Sequence, residues 1–237
     1  MTLSAPIFQL KRRAKLLARN RDVPLHQALD LVACEEGFAS WSLLSARSLS
    51  HQEPDTILPR LNAGDLLLVA GRPGQGKTRL ALRLLVDAMS ARRQAVLFTL
   101  EFTQQQALRH IRDINQASSD INNTLKIITS DAICADYIIQ HLSMAGSGTL
   151  VVIDFLQILD HQRSKPPLSE QVSALSDFAK KSGVIFVFIS QVDRAFDPDA
   201  KRLPDIEDIR LPNQIDLGLF TKTCFLHDKE MAFKTVA

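Results

Sequence analysis

From residue 64 onward, short unbroken apolar runs alternate with longer stretches in which apolar positions recur every three or four residues. The runs 66–70 (LLLVA), 95–100 (AVLFTL), 126–129, 149–153 (TLVVI) and 184–189 (VIFVFI) predict strands. Between them, the helical period predicts helices over 78–92, 103–115, 131–144 and 169–181, with Thr103 and Ser169 as N-caps and Gly183 as a helix end. Strands apolar on both faces that alternate with helices make a largely parallel sheet covered on both sides, an α/β fold. In such a sheet, ligands gather beyond the carboxyl ends of the strands. From Asp216 the segments LGLF, TCFLH and MAFKT read as short strands that extend the sheet as hairpins.

Ahead of this region the pattern differs. Over residues 6–49, Leu10, Ala14 and Leu17, then Leu25, Ala28, Leu29 and Val32, fall at helical spacing and predict two or three short helices. Pro24 suits a first helical turn, Gly37 a helix end, and Ser40-Trp41 the opening of a third helix through Leu43, Leu44 and Leu49. Residues 51–59 (HQEPDTILP), polar with two prolines, read as a linker. The expected division is a short basic helical leader, 1–52, and a larger domain, 53–237. A leader of this size carries too little apolar surface for a strong core of its own, so it is expected to pack on the main domain or on a partner.

Composition narrows the class. With 46% hydrophobic and 23% charged residues in 237, the chain is of ordinary globular make-up. No apolar run approaches the roughly 20 residues of a membrane helix, and residues 1–50 lack a secretion-signal core, so a cytosolic protein without membrane contact is expected. Cys34, Cys134 and Cys224 are far apart and without metal-ligand spacing, and are expected to be reduced and mostly buried. The net charge is only +2, but residues 1–52 hold seven Lys/Arg against four Asp/Glu, which leaves the remainder at −1. Lys11, Arg12, Arg13, Lys15, Arg19 and Arg21 crowd the first helix. Such a cluster is either a solvated face or a contact for a nucleic-acid backbone or protein partner.

The richest chemistry sits at residues 64–85, where the strand 66–70 runs into Gly71, Arg72, Pro73, Gly74, Gln75, Gly76, Lys77, Thr78 and Arg79. Gly71, four residues, then Gly-Lys-Thr between a strand and a helix is the P-loop pattern. Its glycines let successive N–H groups turn inward on a phosphate chain, and the helix adds its positive end. Lys77 would reach the β- and γ-phosphates of ATP, and the Thr78 hydroxyl would join a Mg²⁺ shell. Three further polar residues follow strands. Asp154 fits a metal-holding Walker-B carboxylate, against a plain strand-ending Asp. Glu101 is either a base for the attacking water or a surface glutamate. Gln191 is either a γ-phosphate sensor or a backbone-satisfying amide. Two polar loops, 161–168 and 193–204, carry Arg163 and Lys165, and Arg194, Lys201 and Arg202. Both could track a nucleic-acid backbone, with Phe196 as their one aromatic stacking surface.

Taken in order, GDLLLVAGRPGQGKT, TLEFT, LVVIDFLQIL, VIFVFISQVDRA and KRLPDIEDIR resemble the successive motifs of the RecA-like ATPase domain of DnaB-type replicative helicases. The resemblance runs from about residue 53 to about residue 227. It implies a RecA-like P-loop NTPase fold, ATP hydrolysis with Mg²⁺, a single-stranded DNA channel and a hexameric ring. Position by position it implies nucleotide and magnesium binding by Lys77 and Thr78, a catalytic base in Glu101, the Walker-B acid in Asp154, and coupling to DNA through Gln191. Two departures accompany it. The leader is unlike the family's amino-terminal partner-binding domain, and the closing KEMAFKTVA lacks the arginine that acts on a neighbour's nucleotide, leaving Lys229 or Lys234 as stand-ins and Arg210 as the last arginine. A lysine has no planar fork, so duplex unwinding is the least supported of the implied activities. An ATP-gated interaction module is the rival expectation, and a small-molecule kinase on the same P-loop a weaker third.

Overall fold

The computed structural model describes residues 4, 7–44, 57–114, 124–159, 165–198, 200–210 and 215–236. They fall into two compact units, Met1–Ile57 and Leu58–Ala237.

The first unit holds helices α1 (Ile7–Arg21) and α2 (Leu25–Glu35), and residues 41–44 are helical again. Apolar residues one helical turn apart share a face, so Leu10 and Ala14 of α1 close on Ala28, Val32 and Ala33 of α2, with Leu44 completing the cluster. The unit therefore gathers a small apolar cluster of its own. Gly37 closes α2 with φ 83°. The Trp41 N–H donates to Asp30 (2.8 Å) and Arg13 pairs with Glu35, fixing the third segment and the two helices together. Leu49 and linker residues 51–56 lie outside the described residues.

The second unit is built on seven strands. They are β1 (Leu66–Gly71), β2 (Ala95–Thr99), β3 (Leu125–Ile128), β4 (Leu150–Asp154), β5 (Ile185–Gln191), β6 (Lys222–His227) and β7 (Glu230–Thr235), in spatial order β3-β2-β4-β5-β1-β6-β7. All neighbours are parallel except the β6–β7 hairpin. The helices are α3 (Lys77–Ser90), α4 (Gln104–Ile114), α5 (Ala135–His141) and α6 (Leu168–Ser182). β1, β2 and β4 are buried at every position, which is why they read as unbroken apolar runs. Phe98, Phe186, Phe188, Phe220 and Phe225 are the largest of the fully buried side chains around them.

Several expectations need correction. α5 covers only 135–141 because a turn at 130–133 precedes it, in which Ser130 accepts from the Ile133 N–H (3.2 Å). The buried Gln171 of α6 then accepts the Ala135 N–H (2.9 Å) and does the capping from outside the helix. α6 starts at Leu168 after Pro167, so Ser169 lies inside its first turn instead of capping it. Gly183 does end it, at φ 75°. Thr103 caps α4 as expected, its hydroxyl accepting from Gln106 N–H while Gln106 Oε1 accepts the Thr103 N–H (2.9 Å). The LGLF segment is not a strand, because Asp216 accepts from the Gly218 N–H (2.9 Å) and curls 217–219 into a 3₁₀ turn. Of the cysteines only Cys224 is buried, and desolvation pushes its thiol up to about 12, leaving it inert; Cys34 is exposed.

Candidate nucleotide site

β1 ends at Gly71 between β5 and β6, in register with Gln191 on one side and Leu226 on the other. A Cβ at Gly71 would stand 2.8 Å from the Leu226 carbonyl oxygen, so only glycine lets β6 lie this close. Beyond it, Gly74 (φ 78°) and Gly76 (φ 86°) take left-handed backbone, and nothing lies within 4 Å of where their side chains would point. The loop is thus an open cradle of turned backbone that ends on the first turn of α3, whose N-terminal N–H groups face a would-be anion.

Lys77 opens α3 and folds back across the loop to donate to the Arg72 carbonyl (3.0 Å). Burial lowers its pKa, opposed by the charges of Asp154 and Glu101. Those three side chains, far apart in sequence, are therefore electrostatic neighbours. Asp154, at the end of β4 and 3% exposed, is pushed up to about 6 by desolvation first and by the Glu101 charge second. A hydrogen bond from Thr78 and the Lys77 charge work the other way. Asp154 Oδ2 is buried with no hydrogen-bond partner. An orphaned carboxylate oxygen beside a threonine hydroxyl and the P-loop lysine is a donor set that suits Mg²⁺, a cation that keeps several waters and takes only one or two protein oxygens. Glu101 stands exposed just past β2, its N–H donating to Thr99 Oγ1 (3.0 Å), while Thr99 pairs in register with Asp154. β2 and β4 are neighbours, so the two carboxylates emerge side by side.

Gln191 sits at the end of β5, and its carbonyl accepts the Arg210 N–H (2.8 Å). Arg72, Pro73, Gln191, Val192, Arg194 and Arg210 line a cleft of about 270 Å³ here. Sequence reasoning gave no role to Arg210 beyond being the last arginine. Its place follows from the KRLPDIEDIR stretch, where Asp205 caps a 3₁₀ turn at 206–208 and Ile209 bridges Val192, delivering Arg210 beside Gln191.

The candidate DNA-facing cations fare unequally. Arg194 is exposed beside the cleft, and Arg163 lies outside the described residues. Lys165 donates to the carbonyls of Ile133 (2.6 Å) and Ile158 (3.2 Å). Lys201 pairs with Asp205 and Asp208, and Arg202 makes a two-pronged contact with Glu230 of β7 (2.7 and 2.8 Å). Phe196 is 5% exposed, so it is not the open stacking surface expected. It packs edge-on against His227 and lies under the Arg72 guanidinium, 5.5 Å from its ring centre. Arg72 also donates to the carbonyls of Arg194 (2.8 Å) and Phe196, and Gln75 Oε1 accepts the Asp228 N–H (2.7 Å). The phosphate loop is thus strapped to the segments after β5 and β6. Nothing in the local sequence announces these straps, since their partners lie more than 120 residues away. Arg79 and Pro73 are exposed at the rim.

Residues 50–127, which contain the P-loop and Glu101, match the family model described as the DnaB-like helicase C terminal domain. A solved DnaB-like replicative helicase, described with its interactions with primase, superposes with a TM-score of 0.58 at 16% identity, over 97% of this chain and 74% of that one. The chain shares the fold of that DnaB-like helicase. Among curated relatives, the replicative DNA helicase DnaB of Mycoplasma pneumoniae is 26% identical over 68% of this chain and 42% of its own length. The replicative DNA helicase DnaC of Bacillus subtilis is 24% identical over 76% and 49%. The chain spans somewhat under half the length of these relatives. Among its described residues no helix is long and apolar enough to cross a membrane, and no cluster of three or more His, Cys, Asp or Glu could hold a metal ion.

Proposed function

We propose that the chain binds and hydrolyses ATP with Mg²⁺ and couples hydrolysis to single-stranded DNA, as a DnaB-like helicase ATPase. One observation carries this reading: Lys77, Thr78, Glu101, Asp154 and Gln191 emerge together at the carboxyl ends of β1, β2, β4 and β5. The P-loop backbone and α3 hold the triphosphate, and Lys77 exchanges the Arg72 carbonyl for phosphate oxygens, neutralising charge that grows in the transition state. Thr78 and Asp154 would hold Mg²⁺, which would supply positive charge against that of the triphosphate. Glu101 orients the water and takes its proton. Gln191 reads the γ-phosphate, and the Arg72 strap ties that state to 193–198. The matches to replicative DNA helicases support single-stranded DNA as polymer and a hexameric ring as the assembly.

The test is the ATPase rate with and without single-stranded DNA, on protein of measured solution mass, beside Glu101→Gln. We expect DNA-stimulated hydrolysis that falls at least ~10²-fold in the variant, with nucleotide binding retained. Equal rates in the two proteins would overturn the enzyme reading. The ATP-gated interaction module keeps a place because Lys165, Lys201 and Arg202 are engaged inside the chain instead of facing a strand. A protein that binds ATP, turns over slowly whether or not DNA is present and fails to separate a forked duplex would favour it.

A further inference from the structure

We propose that Thr99 is a positioning residue for hydrolysis: its hydroxyl holds the backbone of Glu101 and so sets the carboxylate that activates water. The inference deepens the ATPase reading and rests on Glu101 being the base.

β2 reads AVLFT, so Thr99 is its one polar side chain, and it is fully buried. A buried hydroxyl costs free energy unless it is hydrogen-bonded, and valine would fill the same space without that cost. The hydroxyl finds its use two residues further on. Thr99 Oγ1 accepts the Glu101 N–H (3.0 Å), a donor that lies past the last residue of the strand. Branching at Cβ makes the threonine χ1 stiff, so the strand itself sets the direction of that oxygen. The bend at 100–102 is thereby tied to the sheet at the residue that carries the carboxylate.

Packing does not do this instead. Leu100 is 39% exposed and gives the bend no buried anchor. On the far side Phe102 packs against His110 of α4 (ring centres 5.1 Å apart) and Thr103 caps that helix, so the chain after Glu101 is held to α4. Among the described residues, the hydrogen bond that holds Glu101 to β2 is the one to Thr99. Thr99 is also in register with Asp154 of β4, so the oxygen that fixes Glu101 stands on the strand pair from which both carboxylates emerge. A carboxylate on a loosened bend keeps its chemistry but spends less time in line with the water. Turnover then falls while phosphate binding is untouched.

The experiment measures ATP turnover, and binding of a fluorescent non-hydrolysable ATP analogue, on the full chain. The wild type is compared with Thr99→Val, Thr99→Ser, Glu101→Gln and the double variant Thr99→Val/Glu101→Gln, each checked by circular dichroism. Thr99→Val should lower kcat at least ~10-fold at unchanged analogue Kd, since misplacing a reacting group by about 1 Å can cost ~10²-fold. Thr99→Ser keeps the oxygen and should recover most of the wild-type kcat. In the Glu101→Gln background Thr99→Val should cost nothing further, because a residue that acts through Glu101 has nothing left to position. Weakened analogue binding in Thr99→Val, or the same fractional loss of rate in both backgrounds, marks a purely structural threonine and overturns the proposal. Wild-type kcat in Thr99→Val beside a crippled Glu101→Gln overturns it too and leaves the ATPase reading intact, whereas wild-type turnover in Glu101→Gln overturns both. If Thr99→Val does not fold, Thr99→Ala removes the same oxygen and is read in the same way.

Discussion

Asp154→Asn should make the magnesium-free protein more stable while removing its response to magnesium. Burial and the neighbouring Glu101 charge raise Asp154 from 3.8 to about 6. A carboxyl whose folded pKa lies above its unfolded one binds more protons when folded across that window. The folded state is therefore progressively penalised as pH rises from about 4 to about 6, and the penalty is complete above that. A rise of that size corresponds to roughly 3 kcal/mol at neutral pH. The amide of asparagine is uncharged and can still accept from Thr78, so most of that penalty should disappear. A net gain of about 2 kcal/mol would raise the melting temperature of a unit this size by ~4–8 °C. The assay is thermal unfolding of both proteins at pH 4 and pH 8 in EDTA, then at pH 8 with a non-hydrolysable ATP analogue, with and without Mg²⁺. The variant should melt higher at pH 8 in EDTA, the gap should close at pH 4, and only the wild type should gain from Mg²⁺ over the analogue alone. A variant that melts below the wild type at pH 8 in EDTA, or that gains equally from Mg²⁺, would refute the assignment of Asp154 as a strained, metal-awaiting carboxylate.

Other consequences are quicker to check. Gly71→Ala puts a methyl 2.8 Å from the Leu226 carbonyl, and backbone cannot step aside cheaply, so urea unfolding should show a loss of about 1–3 kcal/mol. Gly183→Ala meets both the left-handed angle (φ 75°) and Ser147, and should cost about 1–2 kcal/mol by the same measurement. Arg72→Ala should speed amide exchange in 193–198 while leaving β1 and β5 protected. Arg72→Lys should restore protection only in part: an ammonium can imitate the single nitrogen, Nη2, that donates to both carbonyls, but it lacks the planar guanidinium that lies over the Phe196 ring. Exchange unaltered by either change would mean that the strap holds nothing.

The strands were legible because burial on both faces writes itself as uninterrupted Leu, Val, Ile and Phe, and the P-loop because its function restricts residue type at nearly every position. Thr103 was legible for a similar reason: its capping partner, Gln106, is three residues away. Where the deciding partner was distant, local reading missed. Ser169 looked like a cap, but Pro167 starts the helix one residue earlier, and the buried amide that caps α5 comes from another helix, at Gln171. Phe196 looked like a surface aromatic because nothing nearby says that Arg72 and His227 enclose it. Lys165, Lys201 and Arg202 looked free for the same reason, since charge is visible in sequence and counter-charge is not.

The placement of β1 also bears on how the protein comes into being. β1 is made early, yet its two neighbours, β5 and β6, arrive only at residues 185–191 and 222–227. While β2, β3 and β4 can pair as soon as residue 154 has emerged, the strand that presents the phosphate loop waits for residues 185–191 and 222–227. Closing loops of that length is slow, and an apolar strand with unpaired edges is exposed meanwhile. The sheet that presents the phosphate loop is then complete only once β6, at residues 222–227, has emerged and paired with β1.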